Sequence, residues 1–474
     1  MARGVPKKES IRVAFVALGC AKNLVDSEKM LGLLAEADMA ITADPDDADV
    51  IVINTCGFLD AARVEAHEAI AEAVAHKRTG RCRRVVVAGC LVERDGPRLL
   101  EAVAGIDALV GVHARDDIVR AVIGQDEKDV VDGQCASADL YLGPYHPHVA
   151  SDMARLRLTP RHYAYLRISE GCDRKCTFCT IPAIRGPLRS KPLEAVIDEA
   201  RELVGDGVRE INLIGQDTTS YGMDRDDGVG LADVLRALDR VDGLRWVRLL
   251  YAYPTTLTDR IIDAVGACER VVKYVDLPLQ HINDRVLKAM GRGIDRAGTE
   301  RLLEKLRARI PGVAIRTTLL VGFPGESESE FEELLRFVEQ AHFAAVGVFA
   351  YSTEPGTPAG RMKNQLPPDV RRRRADTIME AQQKVAFAEA AKQVGRDFEI
   401  VVDGSLKAGQ FVGRHAGQAP EVDSVCYVLA DDLRAGRFLR TRCVGWQDYD
   451  LIVRPLEAIV PTRSARRRRS GPKR

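Results

Sequence analysis

The sequence predicts an α/β protein of three modules: an N-terminal open parallel α/β domain, a central partial (β/α)6 barrel and a C-terminal small β-barrel of OB-like size. Three observations predict it. At 474 residues the chain is long for one core, against a prior of about 100–200 residues per domain. Short apolar runs alternate with helical periodicity twice, over residues 10–140 and again over residues 161–390. The pattern then changes to short alternating runs over residues 396–460.

In the first region "RVAFVAL", "DVIVI", "RRVVVAG" and "ALVGV" read as strands, and "DSEKMLGLLAEA", "AARVEAHEAIAEAVAH", "GPRLLEAVAG" and "RDDIVRAVIG" as the helices between them. Continuous apolar strands alternating with helices argue for a parallel sheet covered on both faces. Residues 141–160, "YLGPYHPHVASDMARLRLTP", have the Gly, Pro and His content of a linker. The second region holds six strand candidates: "YAYLRIS", "EINLIG", "WVRLLYAY", "VVKYVDL", "AIRTTLLVG" and "AAVGVFAY". Right-handed connections curl such a series one way, and six units fall two short of the closed eight-stranded form. The trailing helix "PDVRRRRADTIMEAQQKVAFAEAAKQVG" opens behind a Pro and ends at a Gly. The third region offers "DFEIVVDG", "VCYVLA", "RFLRTRCVGW" and "YDLIVRP" as strands. Residues 461–474 are basic, low in complexity and expected to be disordered.

Charge excludes little: Lys+Arg and Asp+Glu balance at 69 each, so the chain is no polycation built for nucleic acid. The start, "MARGVPKKES", has no apolar run behind it, and no window approaches the roughly 20 apolar residues of a membrane helix, so a cytoplasmic location is expected. In that compartment eleven cysteines do not form a disulfide framework. Cys82, Cys135, Cys268, Cys426 and Cys443 are scattered and read as small buried hydrophobes.

The other six form two triplets. Cys20, Cys56 and Cys90 each lie just past the C-terminal end of a different strand, where ligands of open α/β sheets bind, so three distant thiols are brought together. Helix N-termini there favour thiolates. Cys172, Cys176 and Cys179 follow the strand "YAYLRIS" with C-x3-C-x2-C spacing. A structural zinc site takes four protein ligands, and the nearest downstream candidates are Cys268 and His281. An iron–sulfur cluster held by three thiolates fits better and leaves one iron open for a small molecule.

C-x3-C-x2-C after the first strand of a partial βα barrel, with Phe178 directly before the third Cys, resembles the radical S-adenosylmethionine (SAM) enzymes. The whole chain resembles the radical-SAM methylthiotransferases, whose last module is called TRAM. The resemblance rests on "LGCAKNLVDSE", "INTCGFLDAA", "AGCLVER", "RISEGCDRKCTFCTIPAIRG", "YVDLPLQH", "TTLLVGFPGE" and "YSTEPGTPA". It implies a [4Fe–4S] cluster on Cys172, Cys176 and Cys179 that binds SAM, and a second [4Fe–4S] cluster on Cys20, Cys56 and Cys90 that carries sulfur as sulfide or polysulfide. An external electron donor is implied as well. Phe178 and Gln216 are candidate SAM contacts. Gln280, His281 and Glu326 are expected at the barrel mouth, and Glu170 is as well placed to anchor a loop as to act.

Within the family, "INTCGFLDAARVEA", Asp217 in "IGQDTTSYG" and "GQAPEVDS" resemble RimO-like members, which act on an aspartate β-carbon of ribosomal protein uS12. The implied partner is uS12, free or in the small subunit, met by a monomer with no membrane. MiaB- and MtaB-like members act on tRNA adenosines and are the alternative. A non-catalytic metal-containing ribosome-binding protein is the alternative of another class. Residues 396–457 hold ten Asp/Glu against eight Lys/Arg, an acidic balance that suits a basic protein substrate better than RNA. The Arg run 371–374 reads as a solvated helix face, and RNA contact through the tail Arg466–Arg469 as secondary.

Overall fold

The computed structural model describes residues 10–124, 138–145 and 148–456. The first sheet has six parallel strands in the order Ala40–Thr42, Arg12–Ala17, Val50–Thr55, Arg84–Gly89, Ala108–Val110 and Asp139–Tyr141. Its strand residues alternate between two cores. Ile51, Ile53, Val85 and Val87 pack under helix Asp60–Thr79, while Val50, Val52, Val86 and Ala88 pack under helices Ala21–Glu36 and Ile118–Ile123. Both faces are covered, as the continuous apolar strands require.

The second sheet joins all six expected strands in sequence order and in parallel: Tyr163–Arg167, Glu210–Ile214, Trp246–Leu249, Val271–Asp276, Ala314–Val321 and Ala345–Ala350. It stays open between its first and last strands. Helix Pro368–Ala391 packs against the last strand. Its Arg run is not the solvated face expected. Arg372 and Arg373 are exposed, but Arg374 is buried and pairs with Glu326 Oε1 at 2.6 Å, and buried Arg371 donates to the carbonyl oxygens of Tyr351 and Leu366. An i, i+3 pair of arginines faces the barrel, and buried guanidinium groups there need acceptors.

Five strands, Asp397–Lys407, Gln410–His415, Cys426–Leu429, Asp450–Pro455 and Phe438–Gln447, close the C-terminal barrel. This module docks on the inner face of the open sheet. Tyr163, Tyr165, Trp246 and Tyr274 form one buried cluster with Val401 and Ala419. Tyr163 and Tyr165 donate to Glu421 at 2.8 and 3.0 Å, Tyr274 donates to Asp423, and Arg414 pairs with both Glu210 and Asp403 at 2.8 Å. Asp403 and Asp423 are therefore turned inward and Glu421, though exposed, is tied to two tyrosines, so these acids do not form the external acidic surface that charge counting suggested. Among the described residues no helix is long and apolar enough to cross a membrane.

The N-terminal domain sits over the other end of the second sheet. A buried network ties the two together: Arg115, Arg167, Arg185 and Lys191 face Asp26, Asp152, Glu170 and Glu199, none more than 6% exposed. Arg167 reaches Asp26 and Glu170 at 2.8 and 2.7 Å, Arg185 reaches the same two at 2.8 and 3.1 Å, and Lys191 bridges Asp152 and Glu199. The four charges of each sign balance, which makes such deep burial tolerable.

Candidate active site

Each residue of the first triplet is delivered by a strand end. Cys20 precedes helix Ala21–Glu36, Cys56 follows Val50–Thr55, and Cys90 opens helix Cys90–Asp95. Two glycines let the three loops close on one another. A Cβ on Gly19, whose φ is +94°, would come within 2.8 Å of the Cys56 Cβ. A Cβ on Gly57 would come within 2.8 Å of the Cys90 carbonyl oxygen and the Leu91 Cα. The second triplet is shaped by a loop whose Cys172 amide donates to the Gly186 carbonyl and whose Thr177 amide donates to that of Met290.

All six sulfur-bearing residues line one cavity of about 430 Å³ between the N-terminal domain and the mouth of the second sheet. Within each triplet the thiols feel one another: Cys90 feels Cys20 and Cys56, and Cys179 feels Cys176 and Cys172. Among the described residues no three His, Cys, Asp or Glu side chains converge as ligands of a single metal ion would. Three thiolates on three irons of a cluster stand farther apart than three on one ion, and an all-thiol donor set suits iron–sulfur ligation. The residues present fit that group. Neither Cys268 nor His281 lines the cavity, so neither completes a four-ligand zinc site. Cys82, Cys268, Cys426 and Cys443 are buried elsewhere, and Cys135 lies outside the described residues.

The helix N-termini do not lower the thiols as a group. Burial pushes Cys90 and Cys179 up to about 12 and Cys172 up to about 11, and raises Cys56. Desolvation outweighs the helix ends. At Cys20 burial also acts upward, but Lys22 and Arg185 overcome it and the thiol lies below its ordinary range.

Phe178 lines the cavity and packs in a cluster with Met290, Leu320 and Tyr351. Gln216 also lines it; its Nε2 donates to Glu170 Oε1 at 2.6 Å, while its Oε1 is buried without a hydrogen-bond partner. Glu170 is thus an anchor in the ionic network. Asp217 is only 2% exposed and caps the turn at Thr218–Ser220, accepting from Arg174 at 2.8 Å. Gln280 lines the cavity, but His281 and Glu326 do not. Glu326 is held by Arg374, and His281 is fully buried. The Asn283 amide donates to His281 Nδ1 at 3.0 Å, which leaves the ring proton on Nε2, 3.8 Å from Glu326.

Burial pushes His281 down to about 4, against an opposing pull from Glu330 and Glu333. The unfolded chain therefore binds a proton that the native chain refuses between about pH 6.5 and 4. This stability is present above pH 6.5 and lost as pH falls, at most about 3 kcal/mol. Urea denaturation at pH 7 and 4.5 is expected to show a smaller acid loss in His281→Gln than in the parent; equal losses would refute the assignment.

Sequence reasoning passed over Lys22, Arg174, Arg185, Tyr251, Tyr253, Arg292 and Glu354, which also line the cavity. Arg185 is the link between the triplets. It lies six residues after Cys179 and donates to Cys90 Sγ at 3.1 Å and to Asn23 Oδ1 at 2.7 Å. Glu354 accepts from Arg94 at 2.8 Å and from the Asp60 amide at the start of the Asp60–Thr79 helix. Lys22, Arg174, Arg185 and Glu354 lie inside the quoted motifs and Tyr251 and Tyr253 at the end of a quoted strand, while Arg292 offered no signal; what each touches across the chain was not visible.

Three family models match: the Radical SAM superfamily over residues 166–338, Uncharacterized protein family UPF0004 over residues 12–111, and a TRAM domain over residues 394–456. A protein of Symbiobacterium thermophilum described as ribosomal protein uS12 methylthiotransferase RimO is 45% identical, over 95% of this chain and 92% of its own. One of the same description from Anaeromyxobacter sp. (strain K) is 44% identical, over 96% and 95%. The chain belongs to the RimO family. Among solved structures, the radical SAM methyltransferase TsrM from Kitasatospora setae is similar in fold, with a TM-score of 0.53 at 16% identity, covering 74% of this chain and 75% of its own. The RimO relatives match across all three modules, so both cysteine triplets fall within the shared length.

Proposed function

We propose that this chain is a radical-SAM methylthiotransferase that adds a methylthio group to the β-carbon of an aspartate in ribosomal protein uS12. The observation that carries the reading is the single cavity into which both cysteine triplets open. Its support in sequence is the 45% identity to a relative of that description. Cys172, Cys176 and Cys179 would hold one [4Fe–4S] cluster with SAM, and Cys20, Cys56 and Cys90 a second. Bound there, these groups supply electron transfer to SAM, hydrogen abstraction from an unactivated C–H bond, and a carrier for sulfur. An electron donor and a sulfide or polysulfide source come from outside the chain, in the cytoplasm.

The chain's own residues position and enclose. Arg185 fixes the barrel's cysteine loop against Asn23 and Cys90, so the spacing of the triplets is set by a buried guanidinium rather than by a surface contact. Glu354 holds the last barrel strand's loop against Arg94 and the Asp60 amide. Phe178, next to Cys179 in sequence, packs against Met290, Leu320 and Tyr351 and gives that side of the cavity an apolar wall. Gln216 offers an unpaired carbonyl oxygen that suits the adenosine or amino group of SAM.

In this reading the chain acts as a monomer on uS12, free or within the small subunit. The basic tail Arg466–Arg469 lies outside the described residues. Mass spectrometry of uS12 and of tRNA from cells lacking this protein tests the assignment. Loss of one methylthio group from uS12 with tRNA unchanged is expected; the reverse would make the chain a tRNA enzyme.

A further inference from the structure

Four cations line the cavity: Lys22, Arg174, Arg185 and Arg292. Two have anionic partners. Arg174 pairs with Asp217 at 2.8 Å, and Arg185 pairs with Asp26 and Glu170. The other two pair with no carboxylate among the described residues. Arg292, 4% exposed, donates to the Pro278 carbonyl at 2.5 Å, stands 3.4 Å from Cys176 Sγ, and lies over the Tyr253 ring. Lys22, 8% exposed, has its ammonium 3.2 Å from the centroid of the Tyr251 ring. An aromatic face attracts a cation but does not neutralise it. A cation kept this deep with no carboxylate beside it, and only a cysteine thiol nearby to carry negative charge (Cys20 for Lys22, Cys176 for Arg292), is costly, and an arriving carboxylate relieves the cost.

The backbone holds this arrangement at a price in strain. Tyr251 has φ +58°, in the left-handed region that a side chain with a Cβ adopts at a cost of about 1–2 kcal/mol. Its amide is fixed by Asp276 at 3.0 Å and its carbonyl accepts from Thr218. Strain of this kind, over-determined by its surroundings, collects at sites that bind or react. Here it places the ring beneath Lys22.

The proposed reaction brings two carboxylates into the cavity: that of SAM and that of the target aspartate. The two cations without a carboxylate partner belong to different triplets. Arg292 is beside Cys176, in the triplet assigned to SAM, and Lys22 is two residues from Cys20, in the other. We infer that Lys22 is the residue that selects aspartate: its ammonium receives the target's side-chain carboxylate and so holds the adjacent β-carbon between the two cysteine triplets. The inference rests on the function proposed above. Lys22 is a specificity-determining residue, and Tyr251 positions it.

The test uses the full chain with its iron reconstituted, and labelled uS12 carrying either Asp or Asn at the target position. Asn keeps the shape and removes the charge. Fluorescence anisotropy is expected to give at least about tenfold tighter binding of the Asp form by the parent enzyme, the effect of a hydrogen bond between charged groups. Lys22→Gln should bind both forms equally, at the level of the Asn form, and Lys22→Arg should keep the preference. Iron per chain is measured on every variant. A Lys22→Gln enzyme that still prefers Asp overturns the inference, whether or not its iron falls, and so does a parent enzyme that shows no preference. If the parent modifies uS12 while Lys22→Gln keeps the preference, only the role of Lys22 fails. If the parent leaves uS12 unmodified, the function itself fails.

Discussion

Replacing Cys172, Cys176 and Cys179 together with Ala is expected to halve the iron of anaerobically reconstituted protein, from about eight to about four per chain, and to abolish reductive cleavage of SAM. The expectation follows from the separation of the triplets. Cys90 feels Cys20 and Cys56, Cys179 feels Cys172 and Cys176, and the two sets reach the cavity from different domains. Removing one set should therefore leave the other loaded. The matching replacement of Cys20, Cys56 and Cys90 should also leave about four irons but retain SAM cleavage, since the SAM-binding triplet is intact. Iron assay and 5′-deoxyadenosine release measure both. If the Cys172, Cys176 and Cys179 variant still cleaves SAM, the assignment of that triplet is wrong.

Arg185→Met is expected to destabilise the iron-free protein by about 3–5 kcal/mol, the usual cost of removing one partner from a buried ionic group. Asp26 and Glu170 each lose a guanidinium hydrogen bond, and the network is left with one more buried negative charge than positive. Arg185→Lys should recover part of that loss, because it restores the charge but cannot bridge Asp26, Glu170, Asn23 and Cys90 at once. Urea denaturation without iron separates this effect from cluster loss. Equal midpoints for the parent and Arg185→Met would show that the network does not hold the domains together.

The strands legible in the sequence are those long and apolar enough to declare a period. All six of the second sheet were readable. Ala40–Thr42 and Asp139–Tyr141 were not, since three residues are too few to show alternation. Gln410–His415 was missed because Gly413 and Arg414 break its apolar pattern; the arginine is paired inside, with Glu210 and Asp403. The six cysteines were legible because strand ends are predictable meeting points. Arg185 was not, for its partners Asn23, Asp26 and Cys90 are 162, 159 and 95 residues away. Asp403, Glu421 and Asp423 misled for a related reason: a charge count cannot tell a surface acid from one spent on Arg414, Tyr163, Tyr165 or Tyr274.

The C-terminal barrel is fastened to the second sheet by buried aromatic rings and by the Glu210–Arg414–Asp403 chain. Small polar interfaces let domains swing, whereas this one has a packed apolar centre. The module therefore serves as a fixed abutment. Anything held on its outer surface would sit at a preset distance and bearing from the cavity.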